Sequence, residues 1–382
     1  MVVLTFVQKI IVGILTGYLA LTNALADFIV SSLSSTHETS FVAEEQTPNS
    51  HIIQNALGTV VRESAHAFTI LRDNAEFQRA ALIASNRDEV VVLEDDPLPL
   101  VDTVRNALVN VFCQYKTDTY IRTTTGTGFF INQKGVILTN AHVAQFLLLK
   151  DTEDVVNDVE CVIRTGDPAT PQYEAELLYI SPKWVFDNSE VITEEAPRGT
   201  GERDYALLYI ARTLDRAPLP TVFPAISVNT ALLARGIEHT TVTTAGYPAE
   251  ALFRHGADAE LTPVVAETVL GVLYTFGSNY ADLFSISDSP VGEQGASGGP
   301  VVTNDTEDVI GLIVTKGDSA TEGEHSLRAL TLSYIDRSII EETGYSLIEN
   351  TQGDVALRGA IFKKAMVPFL AGILEEELRN DE

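Results

Sequence analysis

From about Leu100 onward, apolar residues gather in short runs divided by turn residues: Gly128-Phe129-Phe130-Ile131, Val136-Ile137-Leu138-Thr139, Tyr205-Ala206-Leu207-Leu208-Tyr209-Ile210, Pro300-Val301-Val302 and Val309-Ile310-Gly311-Leu312-Ile313-Val314. Many short strands at such spacing predict an all-β barrel or sandwich. No segment repeats at a fixed period, which argues against a solenoid or propeller. Upstream the pattern changes. Ile53, Leu57, Val60, Val61, Ala65, Phe68, Leu71 and Ala75 recur mostly at every third or fourth position, predicting a helix from Ile52 to about Ser85. Residues 31–51, rich in Ser, Thr, Glu and Asn, are too polar to pack and read as a linker. The acidic, proline-containing piece Glu94-Asp95-Asp96-Pro97-Leu98-Pro99 marks a boundary. At the other end, Val355 to Glu377 predicts a helix that Pro368 bends and that Lys363 and Lys364 make too interrupted to span a membrane.

Residues 1–26 are mostly apolar, with Lys9 their sole charge, and they end in Ala24-Leu25-Ala26, a small-residue pattern that suits signal cleavage. Met1 to Gln8 carries no Lys or Arg, and the apolar stretch is long enough to stay in the bilayer as an anchor, so residues 10–30 equally suit membrane attachment. Either outcome places the rest of the chain outside the cytoplasm: secreted, periplasmic or membrane-anchored. The predicted organisation is a signal peptide or anchor over 1–26, a linker and helical extension or pro-region over 27–97, a β-rich domain over 98–340 and a helical extension over 341–382.

A chain of 382 residues that is 45% hydrophobic has room for a large core, and a double barrel of roughly 200–250 residues fits inside it. The 53 acidic residues outnumber 25 basic ones, and the resulting charge of −28 argues against nucleic-acid phosphate as a partner. The two cysteines, Cys113 and Cys161, both lie in β-like runs. In an oxidising compartment they either pair or remain two separately buried thiols; sequence leaves both open. Glu238-His239 and Glu324-His325 are isolated pairs without metal-site spacing, and the chain carries no nucleotide motif, so no cofactor or metal is expected.

Three segments carry candidate chemistry. His142 follows the apolar run ending at Thr139, a place where an imidazole is held firmly yet faces a cleft; a lone histidine there is more often structural. Asp204 stands just ahead of Tyr205-Ala206-Leu207-Leu208, where a carboxylate can fix an imidazole's tautomer. Asp187, followed by Asn188-Ser189-Glu190 instead of a strand, is the weaker competitor. Ser297 sits in Gly295-Ala296-Ser297-Gly298-Gly299, where small residues permit a tight turn. Such a serine is usually only a turn residue, but here the N–H groups of Gly295 and Ser297 can converge on a developing oxyanion.

In the order His, Asp, Ser, these segments resemble the trypsin-like serine peptidases, and the HtrA or Deg-type branch most. The matching strings are Gly126-Thr127-Gly128-Phe129, Leu138-Thr139-Asn140-Ala141-His142-Val143, Asp204-Tyr205-Ala206-Leu207-Leu208 and Gly295-Ala296-Ser297-Gly298-Gly299. The resemblance covers roughly residues 100–340. It implies an all-β fold of two six-stranded antiparallel barrels, here with added N- and C-terminal helices, and an active site in the groove between them. It also implies that His142 is general base then acid, Asp204 its orienter, Ser297 the nucleophile, and Gly295 and Ser297 the oxyanion hole.

Several features depart from the relatives. Ala296 replaces the aspartate that pairs with a newly cut N-terminus in digestive relatives, which argues against activation by that route. Too few residues follow the last expected strand, near Tyr334, for the PDZ module usual in the HtrA-like branch. The stretch from Asp187 to Arg203 reads as an inserted polar loop. Val291 falls near the position of trypsin's selectivity aspartate, and Ile313, Val314 and Thr315 lie on the strand expected to line the pocket. Together they favour small or medium apolar side chains before the scissile bond, the alternative being simple barrel core. The expectation is an endopeptidase acting on unfolded extracytoplasmic polypeptides; oligomeric state is left open. The rival is a non-catalytic, chaperone-like binding module on the same fold. An α/β-hydrolase requires acid and histidine after the serine, and here both precede it.

Overall fold

The computed structural model describes residues 98–382 apart from 117–120, 151, 153–157, 195–199, 235, 250–251, 253–259, 288, 290, 292–294, 317–325 and 382. The expected leader, the linker and the helix over 52–85 lie outside the described residues. A short helix α1 (Leu100–Ala107) leads into β1 (Leu108–Lys116), β2 (Ile121–Phe130) and β3 (Val136–Thr139). Helix α2 (Ala141–Ala144) and a 3-10 turn (Gln145–Leu149) then precede β4 (Asp158–Thr165), β5 (Thr170–Ile180), α3 (Pro182–Asp187) and β6 (Ala206–Thr213). The second half supplies β7 (Thr241–Gly246), β8 (Val264–Tyr274), β9 (Leu283–Ser287), β10 (Pro300–Thr303), β11 (Val309–Lys316) and β12 (Leu327–Thr331). Helices α4 (Leu332–Thr343), α5 (Leu347–Asn350) and α6 (Val355–Asp381) complete the chain.

The strands form two closed antiparallel barrels, in the orders β1-β2-β3-β6-β5-β4 and β7-β8-β9-β12-β11-β10. The second order repeats the first with six added to each strand number, although no sequence repeat announces it. Closure leaves no free sheet edge in either barrel. Period-two alternation in β1 explains which face goes inside: Val111, Cys113 and Tyr115 are buried, while Phe112, Gln114 and Lys116 turn outward. Val242, Leu270, Phe284, Ile286, Val301 and Ile313 fill the second barrel. Cys113 and Cys161 stand directly opposite one another on β1 and β4 and form a disulfide, the first of the two alternatives left open by sequence.

Three expectations are corrected in detail. The last strand ends at Thr331, whose hydroxyl accepts from the Tyr334 N–H, so Tyr334 belongs to α4 and not to a strand. The segment after Asp187 opens as a 3-10 turn with Val191 and Ile192 buried against α6, so it is not simply a solvated loop. The final helix runs to Asp381, past the expected Glu377, and continues through Pro368. Its buried residues Phe362, Met366, Leu370, Leu374 and Leu378 recur at helical spacing, on a helix that packs against β5, α3 and the two 3-10 turns. Among the described residues no helix is long and apolar enough to cross a membrane.

Candidate active site

The β3 strand delivers His142. Thr139 ends the strand, Asn140 adopts extended backbone, and the chain turns into α2, whose Ala141, Val143 and Ala144 are buried and pin the short helix. A first helical turn has N–H groups without intrahelical partners. Here the acceptor comes from the turn leading into β6: Asp204 Oδ1 takes the His142 backbone N–H at 3.0 Å. The other carboxylate oxygen, Oδ2, lies 2.7 Å from His142 Nδ1. Asn140 returns the bond by donating its amide to the Asp204 carbonyl at 2.8 Å. The carboxylate therefore grips one residue at two points and fixes the ring, with Nδ1–H donating and Nε2 left as the basic nitrogen. Asp204 is 7% and His142 13% exposed at the side chain, so water competes weakly for this contact.

Asp204 is held in turn by its predecessor. Arg203 has left-handed backbone (φ 58), uncommon for a residue with a long side chain. Its guanidinium donates to Glu342 and Glu341 at the end of α4, both at 2.6 Å. Burial opposes the Arg203 charge, but the ion pairs with Glu342 and Glu341 outweigh it and raise its pKa. Glu342 also accepts from Ser181 at 2.9 Å and from the buried Tyr179 phenol. Burial nevertheless pushes the Glu342 carboxyl above its usual range. Asp187 takes no part: its carboxylate pairs with Lys183 on the exposed side of α3.

Ser297 comes from the second barrel. Gly295 and Gly298 both have positive φ, at 84 and 87, and a side chain at either would collide with backbone. A Cβ on Gly298 would fall 1.8 Å from the Thr127 carbonyl oxygen, and one on Gly295 would fall 2.4 Å from that of Tyr247. The turn is thus pressed against β2 and the end of β7. Thr127 N–H donates to the Ser297 carbonyl at 2.8 Å, and Thr139 Oγ1, three residues before His142, donates to the Thr127 carbonyl at 2.7 Å. One strand therefore lies between the serine turn and the histidine strand. Among the described residues, no hydrogen bond joins the Ser297 hydroxyl to the imidazole, and none takes up the N–H of Gly295 or Ser297.

The residues expected to line a specificity pocket lie on β11 and on the segment between β9 and β10. Val291 and Ile313 are fully buried in the core of the second barrel, where Val291 packs beside Gly246. Val314 is buried in the larger core shared with the first barrel. Thr315 pairs with Arg328 in the sheet. Sequence reading missed the roles of Asn140, Arg203, Glu342 and Thr127. Two of these lie inside the quoted motifs, where a polar residue flanked by buried positions was the available signal. Among the described residues no group of three or more His, Cys, Asp or Glu side chains is gathered as a metal site.

Paired six-stranded barrels of this topology are the trypsin-like double barrel. Residues 126–312, the span that holds His142, Asp204 and Ser297, match the trypsin-like peptidase domain family. The chain is similar in structure to the active form of the Rv3671c protease from M. tuberculosis, with 17% identity, a TM-score of 0.38, and coverage of 67% of this chain and 96% of that one. No curated protein matches the sequence.

Proposed function

We propose that this protein is a serine endopeptidase using Ser297 as nucleophile, His142 as base and acid, and Asp204 as orienter, on unfolded polypeptides outside the cytoplasm. The two-point hold of Asp204 on His142 carries this reading, because a merely structural histidine has no need of a fixed tautomer with its outer nitrogen free. In the reaction, Ser297 Oγ attacks the peptide carbonyl while His142 Nε2 takes its proton, and the N–H groups of Gly295 and Ser297 hold the oxyanion. Breakage of the C–N bond sends that proton to the leaving amine. Water, deprotonated by His142, then cleaves the acyl ester and restores Ser297. The Cys113–Cys161 disulfide supports an oxidising compartment, in keeping with the apolar leader and an HtrA-like role. The buried positions of Val291 and Ile313 leave apolar selectivity resting on resemblance alone.

The test is covalent labelling of the full chain by a fluorophosphonate, together with cleavage of casein. Both should vanish in Ser297→Ala with the fold unchanged by circular dichroism. A folded wild type that neither labels nor cleaves would instead favour the binding-module reading.

A further inference from the structure

One residue of the first barrel reaches both residues whose N–H groups form the proposed oxyanion hole. Thr127, on β2, is completely buried. Its backbone N–H holds the carbonyl of Ser297 at 2.8 Å. Its hydroxyl donates to the carbonyl of Gly295 at 2.6 Å and accepts the Tyr247 N–H at 2.9 Å. A hydroxyl has one proton to give, and here it goes to Gly295 while a lone pair anchors the chain leaving β7, so the direction of both bonds is fixed. Of the backbone polar groups of Gly295, the carbonyl is the one that Thr127 holds. A Cβ on Gly295 would meet backbone of Tyr247 and Ala249, so its Cα is already confined, but its left-handed φ allows the flanking peptide planes to rotate.

Ala296 adds a second reason for such a clamp. It is fully buried in the second-barrel core and offers no side-chain group to hold the turn by an ion pair. We infer that Thr127 is the positioning residue that keeps Gly295 and Ser297 in oxyanion-binding geometry, its hydroxyl holding the first and its backbone N–H the second, with the first barrel in effect setting the electrostatics of a turn made by the second. The inference rests on the proposed peptidase reading and deepens it.

The test measures inactivation of the full chain by a fluorophosphonate, in which Ser297 Oγ attacks phosphorus, fluoride leaves, and the phosphoryl oxygen occupies the oxyanion position. Saturation kinetics separate reversible binding (KI) from the chemical step (kinact). Deleting an oxyanion donor outright costs about 100- to 1,000-fold, so loosening the Gly295 donor in Thr127→Val, which keeps the backbone bond to Ser297, should lower kinact about 10- to 100-fold with KI nearly unchanged. Thr127→Ser, which keeps the hydroxyl, should stay near wild type. A residue that only supports the fold would lower thermal stability without separating kinact from KI. Wild-type kinact in folded Thr127→Val overturns the inference, as does an equal loss in Thr127→Ser, which would assign the effect to the methyl group. Should Thr127→Val not fold, Thr127→Cys, with a weak donor of similar size, is judged by the same criterion. Failure of the peptidase reading is distinct: the wild type itself would not label, or Ser297→Ala would.

Discussion

Asp204 meets His142 through two different oxygens, and the two bonds tolerate substitution differently. In Asp204→Asn the amide oxygen can still accept the His142 backbone N–H, which leaves an NH2 group facing Nδ1. That nitrogen must then become the acceptor, the proton moves to Nε2, and the base is lost although nothing has shifted. The expected result is a fall of about 10,000-fold in kinact or kcat, read by stopped-flow or discontinuous assay, with an unaltered melting temperature. At this scale the sequence was most informative. His142, Asp204 and Ser297 were singled out by local patterns: an imidazole after an apolar run, a carboxylate ahead of one and a serine among glycines. Each is more often structural when alone, so it was their order that pointed to a triad. Asn140 and Thr127 sat in the same strings, but their partners are Asp204 and Gly295, and no local pattern names an acceptor that distant.

At the scale of elements, the carboxylate stands just ahead of β6 and is braced by α4, through Arg203 and Glu342. These two residues are 139 positions apart, which explains why neither was anticipated. Burial is the largest influence on Glu342 and raises its pKa above the ordinary 4.5, against the opposing pull of Arg203, Tyr179 and Ser181. A raised folded-state pKa means that the native protein holds this proton more tightly than the unfolded chain does. The associated stability is complete below 4.5 and is lost as pH climbs through the raised value. Glu342→Gln has no proton to lose there. Melting temperatures taken from pH 4 upward should therefore shift in favour of the variant, relative to wild type, as pH rises through that window; a constant offset would show that Glu342 does not titrate in it. The limits of β3 were legible because Val136–Thr139 is a buried run between turn residues, whereas β2 begins with the partly exposed Ile121 to Thr125, well ahead of the apolar run at 128–131. The end of β12 was not legible, because Thr331 to Tyr334 stays buried while the backbone changes from strand to helix.

For the whole molecule, the class of fold was legible from the many short strands and the order of three motifs, whereas the strand order was not. Barrel topology is set by closure and connection sterics, which different residues satisfy equally well, so two barrels of one plan need share no sequence. The return of α6 to the first barrel was equally hidden: its periodicity predicted a helix with a face to bury, without saying against what. Phe362, beside Tyr179 with ring centroids 5.7 Å apart, and the buried Leu370 and Leu374 make that contact part of the core. Leu370→Ala or Leu374→Ala should each cost about 2–5 kcal/mol by urea denaturation, as large-to-small changes in a packed core do. The loop of 48 residues closed by Cys113 and Cys161 contributes separately; replacing both by serine should lower stability by about 2–4 kcal/mol. The bond from Thr127 to Gly295 joins residues 168 positions apart. On the proposed reading, this sets an order of events during synthesis. A ribosome that has released the first barrel has made a base and its carboxylate but nothing that cuts, and the nucleophile gains its electrostatic support only when the last strands fold back onto Thr127. On that reading the growing chain is harmless until the second barrel has emerged.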